Sequence, residues 1–267
     1  MSAKRTVAIV LRQLYLFRGS PARIVPLFGW VAIDVVLWGF ITRYLNSFTS
    51  SRYNLVPTLL GAVLLWDFFT RVMQGVTMAF FEDVWSRNFL NLFATPLLIS
   101  EYITGLILSS IWTSIIGLIV MLALSAGVFG LSLVGYGLPM VPFFFLLFLF
   151  GIALGVFASA AVLRMGPAAE WLIWPIPAML SPFAGVFYPL SILPSWMQWI
   201  GRALPASYVF EGMRTIIAGG AVPQLDLLIG TSLALLYLAL SCWFFSRTYQ
   251  HVVKTGLIAR YSAETLS

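Results

Sequence analysis

Charge is what this 267-residue sequence has least of. Asp, Glu, Lys and Arg make up 9% of it, where an ordinary soluble domain carries about 25%. Lys4 and Lys254 are its only lysines, His251 its only histidine and Cys242 its only cysteine. Each shortage excludes something. A phosphate-binding loop of the G-x-x-x-x-G-K-[ST] kind sets glycine amides ahead of its lysine, and neither lysine here has them. One histidine in the tail, far from any serine nucleophile arrangement, supplies no general base for covalent catalysis. No His, Asp and Glu cluster has metal-ligand spacing. Cys242 has no disulfide partner and leaves the redox compartment open. An enzyme acting alone, a metal site and a cofactor bound by this chain are therefore not expected. The net charge of +6 could suggest nucleic acid, but no basic face is interleaved with exposed aromatics. Nucleic acid is not an expected partner.

What is present in excess is apolar surface. Hydrophobic residues are 61% of the chain, against roughly 45–50% in soluble domains. Too few polar residues remain to coat a globule of this size in water, so lipid is the expected solvent. A bilayer core of roughly 30 Å takes about 20 apolar residues in a helix. Stretches 24–45, 55–80, 103–129, 140–163, 169–189 and 225–246 meet that requirement, giving an all-α integral membrane fold of six spans in one membrane domain. The fifth is the least regular, because Pro175, Pro177 and Pro182 must kink or interrupt it. No internal repeat and no low-complexity segment divides the chain. No cleavable signal peptide is expected, since the long apolar stretches follow a basic start.

An even number of spans puts both termini on one side, and the basic residues agree with it. Lys4, Arg5, Arg12, Arg18 and Arg23, the loop residues Arg87 and Arg164, and Arg247, Lys254 and Arg260 would all share that side. They outweigh Arg43, Arg52, Arg202 and Arg214 opposite. Lysine and arginine collect in cytoplasmic loops, so both termini are expected in the cytoplasm.

Three segments do not read as spans. Residues 3–18 form a basic amphipathic helix, with Val7, Val10, Leu11, Leu14 and Phe17 at helical spacing beside Lys4, Arg5, Arg12 and Arg18. It suits the interface of an anionic leaflet, or it simply anchors the first span. The second segment, Glu82 to Pro96, joins spans two and three. Trp85, Phe89, Leu92 and Phe93 share one face of a short helix. Glu82 and Asp83 sit where a helix N-terminus favours negative charge, and Pro96 stops the helix. A partner's groove could grip such a helix, or it could lie flat under the headgroups. The third runs from Pro189 to Gly220 on the other side. Pro194 suits the start of one short helix, Pro205 its end, and Gly219–Gly220 the end of a second. Two half-helices re-entering the outer leaflet would fit, as would an interfacial loop.

The order of these features resembles the ABC-2 type exporter permeases over essentially the whole chain. Two places carry the resemblance. One is Glu82, Trp85, Arg87 and Asn88 followed by Thr95–Pro96 and Glu101; the other is Pro194, Trp196, Leu204, Pro205, Glu211 and Arg214. The resemblance implies two permease copies paired in the bacterial inner membrane above two cytosolic ATPase subunits, which would bind the ATP and Mg. The 82–94 segment would be the coupling helix, contacting the ATPase through Glu82, Asp83, Trp85, Arg87, Asn88, Phe89 and Phe93. Pro194, Trp196, Pro205, Glu211 and Arg214 would line or gate the exit. An amphipathic or lipid-linked substrate is expected.

Asp34 in the first span, and Asp67 with Arg71 in the second, are expensive at mid-membrane, roughly 2.5–3.5 kcal/mol each on insertion scales. Asp67 and Arg71, four apart, can pair on one helix face. Asp34 has no such partner and is the better candidate for lining a path, though an interhelical hydrogen bond would also explain it. Gly151 and Gly155 allow a close helix approach, expected within the subunit. A secondary transporter or channel using Asp34, Asp67 and Arg71 as a relay is the rival reading, weakened by the lack of an evident repeat.

Overall fold

The computed structural model describes residues 2–19, 21–48, 56–86, 88, 91–92, 94–130 and 138–257. Among these the chain is helical, with no strand. The helices are α1 (Ala3–Arg18), α2 (Pro21–Phe48), α3 (Gly61–Trp85), α4 (Ile99–Phe129), α5 (Val141–Met165), α6 (Pro175–Ala184), α7 (Ser195–Ala203), α8 (Pro205–Ile217) and α9 (Gln224–Lys254). Glycine and proline set many of their limits. Gly130 ends α4 and Gly185 ends α6 in the left-handed conformation, at φ 67° and 63°, which costs a residue without Cβ little. Prolines stand in the first turns of α5, α6 and α8, where a missing N–H leaves no hydrogen bond unmade.

Among the described residues four segments are long and apolar enough to cross a membrane: Thr58–Trp85, Ile99–Phe129, Leu138–Met165 and Gln224–Lys254. They correspond to the expected spans 55–80, 103–129, 140–163 and 225–246, lengthened by several residues. Helix α2, 28 residues long, covers the expected span 24–45. The expected span 169–189 is not one helix. A 3-10 turn over Pro167–Leu172 is followed by α6, of only 10 residues. At 1.5 Å per residue α6 reaches about 15 Å, half a hydrocarbon core. The prolines that made this stretch irregular interrupt it outright.

The bundle is built around α3 and α5. Between them Gly151 and Gly155 bring α5 against the α3 backbone: a Cβ placed on Gly155 would lie 2.8 Å from the Met73 carbonyl oxygen, and one on Gly151 would lie 3.0 Å from that of Phe69. The small-residue pair therefore packs within the chain, as expected. Phe69 stacks on Phe150 with ring centroids 5.2 Å apart, and Phe150 meets Tyr237 of α9 at 5.6 Å. On its other flank α3 meets α4, where Gly75 admits Ser110. In lipid, association rests on such packing more than on hydrophobic transfer. The indole rings of Trp85 and Trp171 at one end, and Trp196 and Trp199 at the other, are more than half exposed, the placement of interfacial aromatic belts.

Candidate functional site: a clamped helix junction and a carbonyl clamp at the opposite end

The segment expected to couple to a partner begins differently from its sequence reading. Glu82 and Asp83 do not open a separate helix; they occupy the last turns of α3, which runs through Trp85. Beyond it, Leu92 N–H donates to the Asn88 carbonyl at 3.0 Å and Asn91 donates to the Asn88 side chain at 3.3 Å, marking a helical turn. Arg87, Phe89 and Phe93 lie outside the described residues.

A carboxylate near a helix C-terminus opposes the helix dipole, and Asp83 is almost fully buried as well. Two groups from elsewhere offset this. Arg12 of α1 forms an ion pair with Oδ1, and the buried Tyr102 hydroxyl of α4 donates to Oδ2 at 2.7 Å. A second carboxylate holds the other side of the junction. Glu101, in the first turn of α4, accepts from Leu98 N–H at 3.0 Å and from Ser2 N–H at 2.5 Å. Arg5 lies 3.6 Å from Glu101 and also donates to the Pro96 carbonyl. Gln13 donates to the Ala79 carbonyl at 3.1 Å, and Ile9 fills the space left by Gly105. Helix α1 thus bridges the end of α3 and the start of α4, the two helices the 86–98 connection joins.

Trp85 faces another way. Its indole N–H donates to Glu170 at 2.9 Å, tying the end of α3 to the turn before α6. Tyr102 and Glu170 were not singled out in the sequence, and Arg12 only as one of the basic residues of the amphipathic helix; nothing local links the three to positions 19, 85 or 71 residues away.

At the opposite end the glutamate–arginine pair closes a loop. Arg214 donates to the carbonyls of Gly185, Val186 and Tyr188, the last two at 3.1 and 2.8 Å. Glu211 accepts from Leu190 N–H at 2.7 Å and lies 3.4 Å from Arg214. Burial lowers the Arg214 guanidinium from its ordinary pKa, and Glu211 opposes that shift. Pro194 precedes α7, and Leu204–Pro205 breaks α7 from α8. Trp196 is exposed, with its ring edge against Phe183. Of the five residues expected at this end, only Glu211 and Arg214 make polar contacts of their side chains among the described residues, and these are with backbone and each other.

A family model described as ABC-2 type transporter matches residues 5–218. The chain belongs to that family. It is accordingly a multi-pass membrane protein and a permease of ABC transporter type, the component that lacks the ATP-binding site; such permeases generally work with a cytosolic ATPase. A search of curated proteins finds no match. In this ABC-2 permease the matched region runs from Arg5 at the start of α1 to the end of α8, so the ion pairs of both clamps fall inside it.

The intramembrane charges are less settled by contacts. Asp67 and Arg71 make no ion pair within 4 Å among the described residues, though each lies within Coulombic reach of the other. The Arg71 side chain instead passes against Gly117 of α4. Asp67 Oδ2, Arg71 Nε and Ser114 Oγ have no hydrogen-bond partner among the described residues. Asp34 of α2 lies within Coulombic reach of Asp67.

Proposed function

We propose that this permease is the membrane half of an ATP-driven exporter, and that the junction held by Asp83 and Glu101 receives the stroke of a separate cytosolic ATPase. In this reading two copies pair and two ATPase subunits bind beneath them. The chain crosses the bacterial inner membrane six times with both termini cytoplasmic, α2 and the broken 169–189 stretch supplying the crossings beyond the four long segments.

The observation that carries the reading is the double carboxylate anchor. Helix ends that only turned a corner would not need a third helix latched to both of them by ion pairs. An ATPase pushing on residues 86–98 would move α1, α3 and α4 as one body, because Arg12–Asp83 and Arg5–Glu101 join them. Trp85–Glu170 would carry the same movement toward α6. At the other end, Glu211 and Arg214 would hold the 185–190 loop as the frame of an exit gate, with Pro194, Trp196 and Pro205 around it. The cargo is an amphipathic or lipid-linked molecule.

Purification of the tagged chain from its host in mild detergent, with mass spectrometry of what accompanies it, tests this. A stoichiometric P-loop ATPase, lost in Trp85→Asp with Phe89→Asp, is the expected result. Recovery of the chain alone under several gentle conditions would reject the reading.

One observation favours a second reading, ATP-independent transport or a channel. Asp67 Oδ2, Arg71 Nε and Ser114 Oγ have no hydrogen-bond partner among the described residues, and Asp34 lies within Coulombic reach of Asp67, as in a path for ions or protons. Asp34→Asn and Asp67→Asn would then abolish transport while leaving ATPase co-purification irrelevant to it. Unchanged transport in both would remove these carboxylates from the mechanism.

A further inference from the structure

Asp67 and Arg71 stand one turn apart on α3. Helical side chains lean toward the N-terminus of their helix, so contact with Asp67 is the ordinary resting place for Arg71. Two glycines give it another. Gly75 of α3 keeps α4 close: a Cβ there would lie 3.0 Å from Ser110 Cβ and 3.0 Å from Thr113 Oγ1. Opposite Arg71, α4 presents Gly117, and the arginine stem occupies the space of the missing side chain. A Cβ on Gly117 would lie 2.2 Å from Arg71 Cδ and 2.7 Å from its Nε, closer than such atoms can come. Even alanine at 117 is incompatible with the present course of Arg71.

This course has a consequence for Asp67. Its Oδ2 is enclosed without a hydrogen-bond partner, and its carboxylate has no ion pair within 4 Å, among the described residues. Asp34 of α2 adds a second negative charge within Coulombic reach. Two carboxylates therefore share one arginine, which is seated elsewhere, and charge inside a span is costly unless it is paired or neutralised. An anion does not fit, since Arg71 is 9% exposed and stands with two carboxylates. A cation does. We propose that Gly117 and Arg71 are positioning residues: the gap in α4 holds Arg71 off Asp67, which leaves the Asp67 carboxyl, with Asp34 near it, to receive a monovalent cation. That cation is a proton or the ammonium group of a cationic cargo. The use of this carboxyl in transport rests on the proposed transport function; its separation from Arg71 does not.

The test labels the full chain in mild detergent with dicyclohexylcarbodiimide, an apolar reagent that adds to protonated carboxyl groups, and reads each residue by mass spectrometry at mildly acidic pH. Wild-type Asp67 is expected to label. Gly117→Ala should bring Arg71 onto Asp67 and cut that labelling about tenfold, the effect of a guanidinium at contact on the protonated fraction. Adding Arg71→Gln to Gly117→Ala should restore it. Gly127→Ala, where a Cβ meets nothing within 4 Å, should leave it unchanged. Arg71→Gln alone checks the same point without crowding the helix contact: a rise of about threefold or less fits a charge at a distance, and a rise of about tenfold or more would show a resting pair and overturn the proposal. Equal labelling in wild type and Gly117→Ala, or a wild-type Asp67 that does not label, would also overturn it. Decyltrimethylammonium and decyl sulfonate then separate the two cations. Protection by the ammonium and not the sulfonate assigns a cationic cargo; no protection by either, with labelling that follows pH, assigns the proton. Labelling indifferent to both pH and the ammonium overturns the proposal. If Asp67 behaves as expected while Asp67→Asn still transports, only the link to transport fails.

Discussion

Arg12 and Asp83, 71 residues apart in sequence, meet in an ion pair at the point where the central helix α3 ends. The pair is unequal in burial: Asp83 is almost wholly enclosed, while Arg12 keeps a quarter of its side chain exposed. Removing the arginine therefore strands a buried carboxylate, whereas removing the carboxylate strands a cation that can still reach water.

This asymmetry gives the first prediction. Breaking a buried pair costs about 3–5 kcal/mol, and the exposure of Arg12 places this one at or below the lower limit. Arg12→Gln should lower stability by about 3 kcal/mol, more than Asp83→Asn, which keeps an acceptor for the Tyr102 hydroxyl. Thermal unfolding in mild detergent measures both. The double variant should be milder than the sum by more than about 1 kcal/mol; strict additivity would mean the two charges do not interact.

The second prediction concerns Trp85 and Glu170, joined at 2.9 Å. Trp85→Phe keeps an aromatic ring and removes the donor. Glu170→Gln keeps an acceptor and removes the charge; Glu170→Ala removes both. If the bond carries movement from α3 to α6, Trp85→Phe and Glu170→Ala should lower ATP-driven transport to the same level, with no further fall when combined. Glu170→Gln should retain transport. Rates measured in proteoliposomes decide it, and independent, multiplying losses would count against a shared bond.

Third, Arg214 serves three backbone carbonyls with one planar group. A lysine ammonium on a flexible stem does not reproduce that fork, so Arg214→Lys should behave as a loss rather than a conservative change. The expected cost is about 2 kcal/mol, from hydrogen bonds to a charged donor. Hydrogen exchange should rise across residues 185–193, and protection equal to wild type would show that the loop does not depend on Arg214.

These contacts show where sequence reading succeeds and where it stops. The spans at α3, α4, α5 and α9 are legible because each is a long apolar run, which suits a helix whether its neighbours are lipid or other helices. The breaks at Pro194, Leu204–Pro205 and Gly219 are legible because proline and glycine act on their own backbone. Glu82 and Asp83 mislead because two adjacent acids favour a helix start in isolation; here Arg12 and Tyr102, supplied by other helices, let Asp83 sit near a helix end. Asp67 and Arg71 have the spacing of a pair, but the groove over Gly117 gives the arginine chain another course. Spacing along one helix fixes which side chains could meet, and the neighbouring helix decides whether they do.

The last prediction tests the α3–α5 contact. A Cβ on Gly155 would stand 2.7 Å from the Val76 Cβ and 2.8 Å from the Met73 carbonyl oxygen. Both neighbours belong to α3 and one is backbone, so the helices must separate to admit it. Gly155→Val should cost about 1–3 kcal/mol by overpacking, and Gly155→Ala a smaller part of that. Gly127 in α4 makes the comparison, since a Cβ there meets nothing within 4 Å. Gly127→Ala should be neutral or stabilising by up to about 1 kcal/mol through helix propensity. Thermal unfolding of the three variants in one detergent separates close packing from propensity, because propensity alone would make alanine favourable at both sites. A stabilised Gly155→Ala would mean that α3 and α5 are not held at the distance at which Gly155 meets Met73 and Val76.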